Sequence, residues 1–387
     1  MKKLRMKLST LCIFRDLLKD EVIEALCAYL KKPNASAYAE FVSLLYKANG
    51  GNLGEYINEI CSNSDNVYVR TIGMGKNVPS YMLTTIEAEL DTLQEVAELT
   101  KDELCLDIDC DAYLPDFTTT KLRLKDIYLH RAENIGKHGY GIYAKNKMFY
   151  VDSESNIIPV QNPDRTLISD LVDYEREREI IIDNTKALLQ NKPAANILLT
   201  GDAGTGKSST VKAVVNELWE DGLRIIEVRK DQLRIIPKLL DELSGNPLKF
   251  ILFIDDLSFL KDDDNFNSLK AVLEGSVTAK STNVVIYATS NRRHIIKENF
   301  SDRDGDDVHF NDTMQELVSL SERFGIHITF NKPDKKTYLH IVHHLAKENN
   351  IEMPSAQLEL LAERFALERG SRSARLAKQF IDNLLSK

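Results

Sequence analysis

The second half of the chain alternates between two spacings of hydrophobic residues, a pattern that favours an α/β fold with a parallel sheet. Short continuous apolar runs are typical of strands that are buried on both faces. They occur at 195–200, 224–228, 249–255 and 283–289. Apolar residues at every third or fourth position predict the helices that connect these strands. The helical segments are 174–190, 206–220, 233–244 and 265–276.

The two ends of the chain are predicted to be mainly helical. Helical periodicity covers 8–32, 36–50, 53–61 and 80–99 in the first third, and 335–349, 355–369 and 371–385 at the end. Residues 139–160 alternate in the manner of strands, so a small β element is expected there. The pattern predicts three parts: a mostly helical amino-terminal domain over 1–165 that ends with this β element, a nucleotide-binding α/β core over 166–331, and a helical lid over 332–387.

The composition is that of an ordinary soluble globular protein. The chain has 387 residues, of which 43% are hydrophobic and 28% charged, and its formal net charge is −9. Acidic residues outnumber basic ones both before and after residue 165, so a nucleic-acid partner gets no support from net charge. No stretch approaches the roughly 20 apolar residues of a membrane span. The five cysteines lack metal-binding spacing, which predicts free thiols and a cytoplasmic protein that contacts no membrane.

The pattern G-x-x-x-x-G-K-S stands where a predicted strand runs into a predicted helix, the position of a phosphate-binding loop. The loop consists of Gly201, Asp202, Ala203, Gly204, Thr205, Gly206, Lys207, Ser208 and Ser209. Its glycines let backbone N–H groups turn inward and form a site for phosphate oxygens. Lys207 is predicted to contact the β- and γ-phosphates, and the Ser208 hydroxyl to bind Mg²⁺. The sequence therefore predicts binding of a nucleoside triphosphate with its metal.

Two carboxylates end the apolar run at 250–254, about 50 residues after the phosphate loop. In a parallel sheet this places them at the same edge as the loop. Asp255 is predicted to hold Mg²⁺, and Asp256 to orient or deprotonate the attacking water. An acidic helix cap is the ordinary alternative for such a pair, and the upstream phosphate loop favours the metal role.

Further segments resemble the ordered motifs of AAA+ P-loop ATPases. Residues 284–291 (VVIYATSN) are similar to the sensor-1 strand, which makes Asn291 the polar residue near the γ-phosphate. Residues 320–324 (LSERF) resemble the arginine-finger motif, with Arg323 reaching a neighbouring subunit's nucleotide. Residues 370–375 (GSRSAR) are similar to the sensor-2 motif, with Arg375 favoured over Arg372. The segment with Leu171, Val172 and Tyr174 corresponds to the one that lines the adenine pocket in this class.

Within that superfamily, residues 290–294 (SNRRH) and 255–259 (DDLSF) resemble an uncharacterised bacterial family of ATP-binding proteins. The resemblance covers about 165–387 and is weaker over the amino-terminal region. It implies an ATPase that uses ATP and Mg²⁺, assembles with copies of itself in a nucleotide-dependent way, and acts on a protein client that the sequence does not identify.

The chain departs from the AAA+ pattern at two places. Asp256 stands where a glutamate is usual, and its shorter side chain withdraws the carboxylate by about one methylene. Because a misplacement of about 1 Å can lower a rate about 10²-fold, slow hydrolysis is expected. Residues 228–233 (VRKDQL) also lack the aromatic-apolar-glycine loop of protein unfoldases, which argues against polypeptide threading.

Three functions agree with these motifs. The first is an ATPase that couples ATP hydrolysis to the assembly or remodelling of a partner. The second is a nucleotide-gated binding module, in which ATP closes the lid and hydrolysis is incidental. The third is a nucleic-acid loader, which rests on basic clusters such as Arg292-Arg293 and Lys335-Lys336 and would show strongly salt-dependent binding to single strands.

Overall fold

A computed structural model describes residues 1–106, 108, 113–257, 264–274, 282–291 and 322–386, without the side chains of 264–267 and 274. The chain forms two compact units. The first contains Met1–Lys145 and Asn246–Leu248, and the second contains Asn146–Gly245 and Lys249–Lys387. No helix among these described residues is long and apolar enough to cross a membrane.

The first unit is built from helices around a continuous apolar core. Its helices are α1 (Lys2–Ser9), α2 (Glu21–Lys31), α3 (Ala35–Asn49), α4 (Leu53–Ser62), α5 (Val67–Gly73), α6 (Ser80–Ala97), α7 (Lys101–Cys105), α8 (Leu124–Glu133), α9 (Ile135–His138) and α10 (Ile142–Lys145). The predicted helices at 36–50, 53–61 and 80–99 are confirmed within a few residues.

The continuous helix predicted over 8–32 is wrong, because two acidic side chains interrupt it. The buried Glu89 carboxylate accepts hydrogen bonds from the backbone N–H groups of Cys12, Ile13 and Phe14, at 2.6, 3.1 and 2.9 Å. These bonds hold the chain in a non-helical turn after α1. Asp20 then caps α2 by accepting from the N–H groups of Val22 and Ile23.

The second unit contains a seven-stranded sheet. Its strands are β1 (Met148–Val151), β2 (Ile157–Pro159), β3 (Ile197–Gly201), β4 (Leu223–Glu227), β5 (Lys249–Ile254), β6 (Val284–Ser290) and β7 (Ile326–Phe330). The strand order is β2-β1-β4-β5-β6-β3-β7, and every pair is parallel except β1 and β2. The predicted α/β fold with a parallel sheet is therefore confirmed.

Helices connect these strands and continue after the last of them. They are α11 (Glu175–Leu189), α12 (Lys207–Leu218), α13 (Ile236–Ser244), α14 (Asp264–Glu274), α15 (Lys335–Glu348), α16 (Ser355–Glu368) and α17 (Ala374–Leu385). Residues of α11 and α12 pack with β3 in one core. The last three helices share a separate apolar core, as expected for a lid.

One strand prediction needs correction, and one strand has no counterpart among the predicted elements. The strands predicted within 139–160 exist as β1 and β2, but β1 pairs with β4 and therefore extends the large sheet of the second unit. The beginning of that segment, Ile142–Lys145, is helical. β7 was missed because its residues alternate between buried and exposed positions, which gives no continuous apolar run.

Candidate functional site

The phosphate loop connects β3 to α12, as its sequence predicts. Gly201, Gly204 and Gly206 have φ angles of 136°, 78° and 93°, a region that side chains strongly disfavour. A Cβ atom on Gly201 would lie 2.0 Å from the backbone oxygen of Phe330 on the adjacent strand. The loop conformation therefore requires glycine at this position both for its φ angle and for the close approach of β7.

Lys207 begins α12 and is only 4% exposed. Its ammonium group donates to the backbone oxygens of Gly201 and Asp202, at 2.9 and 2.8 Å, and to Oδ1 of Asn291 at 3.0 Å. Burial lowers the pKa of Lys207, while the nearby carboxylates of Asp255 and Asp202 act in the opposite direction. The three protons of this buried ammonium group therefore all have oxygen acceptors.

Ser208 and Asp255 form the predicted metal pair. The Ser208 hydroxyl donates to Oδ1 of Asp255 at 2.6 Å. A hydroxyl and a carboxylate are the oxygen ligands that Mg²⁺ accepts, and Mg²⁺ usually combines one or two such groups with phosphate oxygens and water. Among the described residues, no group of three or more His, Cys, Asp or Glu side chains could hold a metal by itself. The donor set therefore fits a magnesium ion that arrives with a polyphosphate.

Asp256 and Asn291 lie next to this pair. The Asn291 amide donates to Oδ1 of Asp256 at 2.7 Å, while its own oxygen accepts from Lys207. Asp256 has a φ angle of 54°, which is unusual for a residue with a side chain. Asn291 therefore links the Lys207 ammonium group to the second carboxylate.

The lid contributes Arg375 to the cleft, whereas Arg372 is engaged elsewhere. The backbone N–H of Arg375 donates to the oxygen of Gly204 at 3.3 Å, and its side chain lines the cleft. Arg372 forms a two-point ion pair with Glu363, at 3.0 and 2.9 Å. This pairing raises the pKa of Arg372 and lowers the pKa of Glu363. Of the two arginines, only Arg375 stands among the cleft-lining residues.

The predicted base-binding residues line the same cleft, whose volume is about 710 Å³. Leu171, Val172 and Tyr174 lie there with apolar lid residues such as Ile341. The Tyr174 hydroxyl donates to the oxygen of Asn331 at 2.5 Å, and its ring packs 5.1 Å from the ring of Phe330. Burial raises the pKa of Tyr174 to about 12, so this hydroxyl remains a neutral donor.

Arg323 lies away from this cleft. It precedes β7, whose first residue Ile326 pairs with Ile197, whereas the phosphate loop follows the opposite end of β3. Four residues of a strand span about 13 Å. Arg323 therefore lies at the edge of the sheet where the parallel strands begin, and the loop lies at the opposite edge, where they end. Its proposed contact with a neighbouring subunit's nucleotide stays a prediction.

Several quoted motif residues fall outside the described part of the chain. They are Ser258, Phe259, Arg292, Arg293, His294, Leu320 and Ser321.

Two buried residues at the site were not identified from the sequence. The Thr289 hydroxyl donates to the Asp255 carboxylate and accepts from the backbone N–H of Asp256, and Arg178 donates to the backbone oxygen of Leu171 in the predicted base-binding segment. Thr289 lies two residues before Asn291 in the sensor-1 segment, which was the available signal. Arg178 lies in an ordinary helical pattern and gave no signal.

A family model described as "Protein of unknown function (DUF815)" matches residues 144–387. No curated protein matches the chain. Two similar solved structures are the Thermotoga maritima RuvB Holliday junction branch migration motor and a proline-to-glycine mutant of it. Each is 16% identical, with TM-scores of 0.39 and 0.40 over 56% and 57% of this chain. The alignments cover 64% and 65% of those chains, so this chain spans less than two thirds of either.

Proposed function

We propose that this chain, which belongs to DUF815, a family of unknown function, binds MgATP and hydrolyses it to drive the assembly or remodelling of a partner. One observation carries this proposal: Lys207, the Ser208–Asp255 pair and the Asp256–Asn291 pair converge at one edge of the sheet. Together they form a cation, a metal pair and a second carboxylate around a phosphate loop, the recurring parts of a P-loop ATPase.

The hydrogen bonds suggest how phosphate binding reaches the catalytic acid. Lys207 has to exchange at least one of its three acceptors for phosphate oxygens, and Asn291 is the only side chain among them. When Lys207 releases Asn291, the amide group is free to turn toward the γ-phosphate. That turn would release Asp256 to accept a proton from, or to orient, the attacking water. Bound Mg²⁺, held through Ser208 and Asp255, would neutralise charge on the phosphates.

The proposal includes assembly into a homo-oligomer. Arg323 stands at the opposite edge of the sheet from its own phosphate loop, so a contact with nucleotide requires a second copy of the chain. A charge supplied in trans makes hydrolysis depend on assembly. We also place the protein in the reducing cytoplasm, because Cys12, Cys27, Cys61 and Cys105 are free thiols.

Calorimetric titration with ATP and ADP in the presence of Mg²⁺ tests the binding step. The expected result is a single binding site for each nucleotide. The rate of phosphate release per subunit should increase with protein concentration. Mass determination with a non-hydrolysable ATP analogue should show a larger species than the protein alone. Absence of binding by both nucleotides at millimolar concentration would overturn the proposal.

A nucleotide-gated switch is the second candidate, and the short side chain of Asp256 favours it. The Asp256 carboxylate is held by Asn291, and one methylene less than glutamate leaves it farther from a water at the γ-phosphate. In such a protein, ATP closes the lid and hydrolysis is slow enough to be incidental.

Asp256→Glu separates the two candidates in single-turnover hydrolysis. For an evolved ATPase we expect the hydrolysis rate of the variant to stay within about tenfold of the wild-type rate, because the site is built around aspartate. A gain on the order of 10²-fold would instead identify the native aspartate as a brake and favour the switch. Asp256→Asn serves as the control, since it removes the base in either case and should lose hydrolysis while still binding ATP.

A further inference from the structure

Thr289 is a buried hydroxyl residue near the end of β6. It is 2% exposed and pairs with Leu199 of β3 in the parallel ladder. A hydroxyl in the middle of a sheet costs free energy unless its hydrogen-bonding groups find partners. The partners of Thr289 are Asp255 and Asp256, the two residues that follow the neighbouring strand β5.

The hydrogen bonds of this hydroxyl have only one consistent arrangement. The backbone N–H of Asp256 can only donate, so Oγ1 of Thr289 accepts from it, at 2.9 Å. The hydroxyl proton then points to Oδ1 of Asp255, at 2.5 Å. One oxygen atom therefore fixes the backbone of Asp256 and the side chain of Asp255 at the same time.

The main chain of Thr289 adds a third connection. Its backbone oxygen accepts from the N–H of Leu257 at 2.7 Å, so the turn after β5 is held on both sides of Asp256. Within this turn Asp256 adopts its φ angle of 54°, a left-handed conformation that is unfavourable for a residue with a side chain. Conformations of this kind persist only where the surroundings over-determine them.

We infer that Thr289 is the positioning residue that sets Asp255, the candidate metal ligand, and Asp256, the candidate base, in one fixed geometry. The inference rests on the proposed function and adds to it a residue that acts through its bonds to Asp255 and Asp256. Ser208 donates to the same Oδ1 atom of Asp255, so the hydroxyl of Thr289 helps fix how this carboxylate faces the metal position. Partners that orient metal ligands typically affect metal affinity or activity by about 10- to 100-fold.

The test compares Thr289→Val, which keeps the shape and loses the hydroxyl, with Thr289→Ser, which keeps the hydroxyl. Thr200→Val is the matched control, because Thr200 is buried on the neighbouring strand β3 and its hydroxyl pairs with that of Thr329, at 3.2 Å. For Thr289→Val we expect kcat to fall about 10²-fold, while KM for MgATP rises no more than about tenfold through the weaker metal contribution to binding. The kcat and KM values of Thr289→Ser and Thr200→Val should remain close to those of the wild type.

A second readout does not depend on hydrolysis. ADP affinity is measured by calorimetry with and without Mg²⁺, and the gain that Mg²⁺ provides should shrink about tenfold in Thr289→Val. Without Mg²⁺ the affinity should not change, because the phosphate loop is intact. Thr289→Ser should retain the full gain, whereas a loss of folding alone would lower both affinities together.

The outcomes separate this inference from the proposed function. If the wild type binds and hydrolyses ATP while Thr289→Val matches Thr200→Val in both readouts, the inference is wrong and the proposed function stands. An equal loss in Thr289→Ser and Thr289→Val would also overturn it, because the methyl group and not the hydroxyl would then matter. If Thr289→Val does not fold, the serine variant decides alone, and a tenfold loss there would contradict the inference. If the wild-type protein binds no nucleotide, both the inference and the proposed function are wrong.

Discussion

Arg323→Ala is expected to lower ATP turnover by about 10³- to 10⁵-fold, the range that an arginine finger contributes in nucleotide hydrolases. Nucleotide affinity should stay nearly unchanged, because Arg323 lies at the sheet edge opposite the phosphate loop of its own chain. The effect therefore separates turnover from binding. Steady-state phosphate release and an ATP titration by calorimetry measure the two quantities on the same preparation.

A matched control is Arg364→Ala. Arg364 is an exposed arginine that pairs with Glu368 one helical turn away on the same helix. Pairs of this kind contribute little to stability, so this variant should keep wild-type turnover. If both variants behave alike, the loss in Arg323→Ala reflects a general effect of removing charge.

Mixing variants tests the contact in trans directly. Arg323→Ala retains a complete phosphate loop, whereas Asp256→Asn retains the arginine and lacks the base. If the finger comes from a neighbour, a mixture of the two inactive proteins should regain part of the turnover, because some interfaces combine an intact loop with an intact arginine. Mixtures that stay inactive while mass determination shows mixed oligomers would contradict the trans assignment.

The loop and the side chains that converge beside it could be predicted from the sequence because the proposed phosphate and metal chemistry fixes both residue type and spacing. A phosphate loop needs glycine where the backbone turns, as at Gly201, and a cation and a hydroxyl directly after it. Asp255 and Asn291 follow strands whose apolar runs can be recognised from the sequence alone. Such local constraints leave few alternatives.

Long-range contacts explain what the sequence did not predict. β1 is a short strand whose pairing with β4 involves residues about 77 positions apart, and no local pattern encodes such a partner. Glu89 ends the first helix from more than 70 residues away. The choice between Arg372 and Arg375 likewise depended on Glu363, which withdraws Arg372 from the cleft.

Lys207→Ala is expected to weaken ATP binding by about 10²- to 10³-fold, because hydrogen bonds to charged groups contribute about 1.5–3 kcal/mol each. Hydrolysis should fall further, since the cation also stabilises charge that develops on the phosphates. Lys212→Ala is the matched control: it removes the same charge from the same helix at a position outside the cleft. Its ATP affinity should equal that of the wild type.

The pH dependence of binding identifies the same ammonium group. Burial lowers the pKa of Lys207 in the free protein, and bound polyphosphate would raise it again by stabilising the charged form. As the pH rises through the lowered pKa, free protein loses this proton, so ATP binding must take a proton up and affinity falls. Lys207→Ala should lack this alkaline fall, while Lys212→Ala should retain it. An alkaline decrease of equal size in all three proteins would show that another group titrates and that Lys207 does not bind the phosphates.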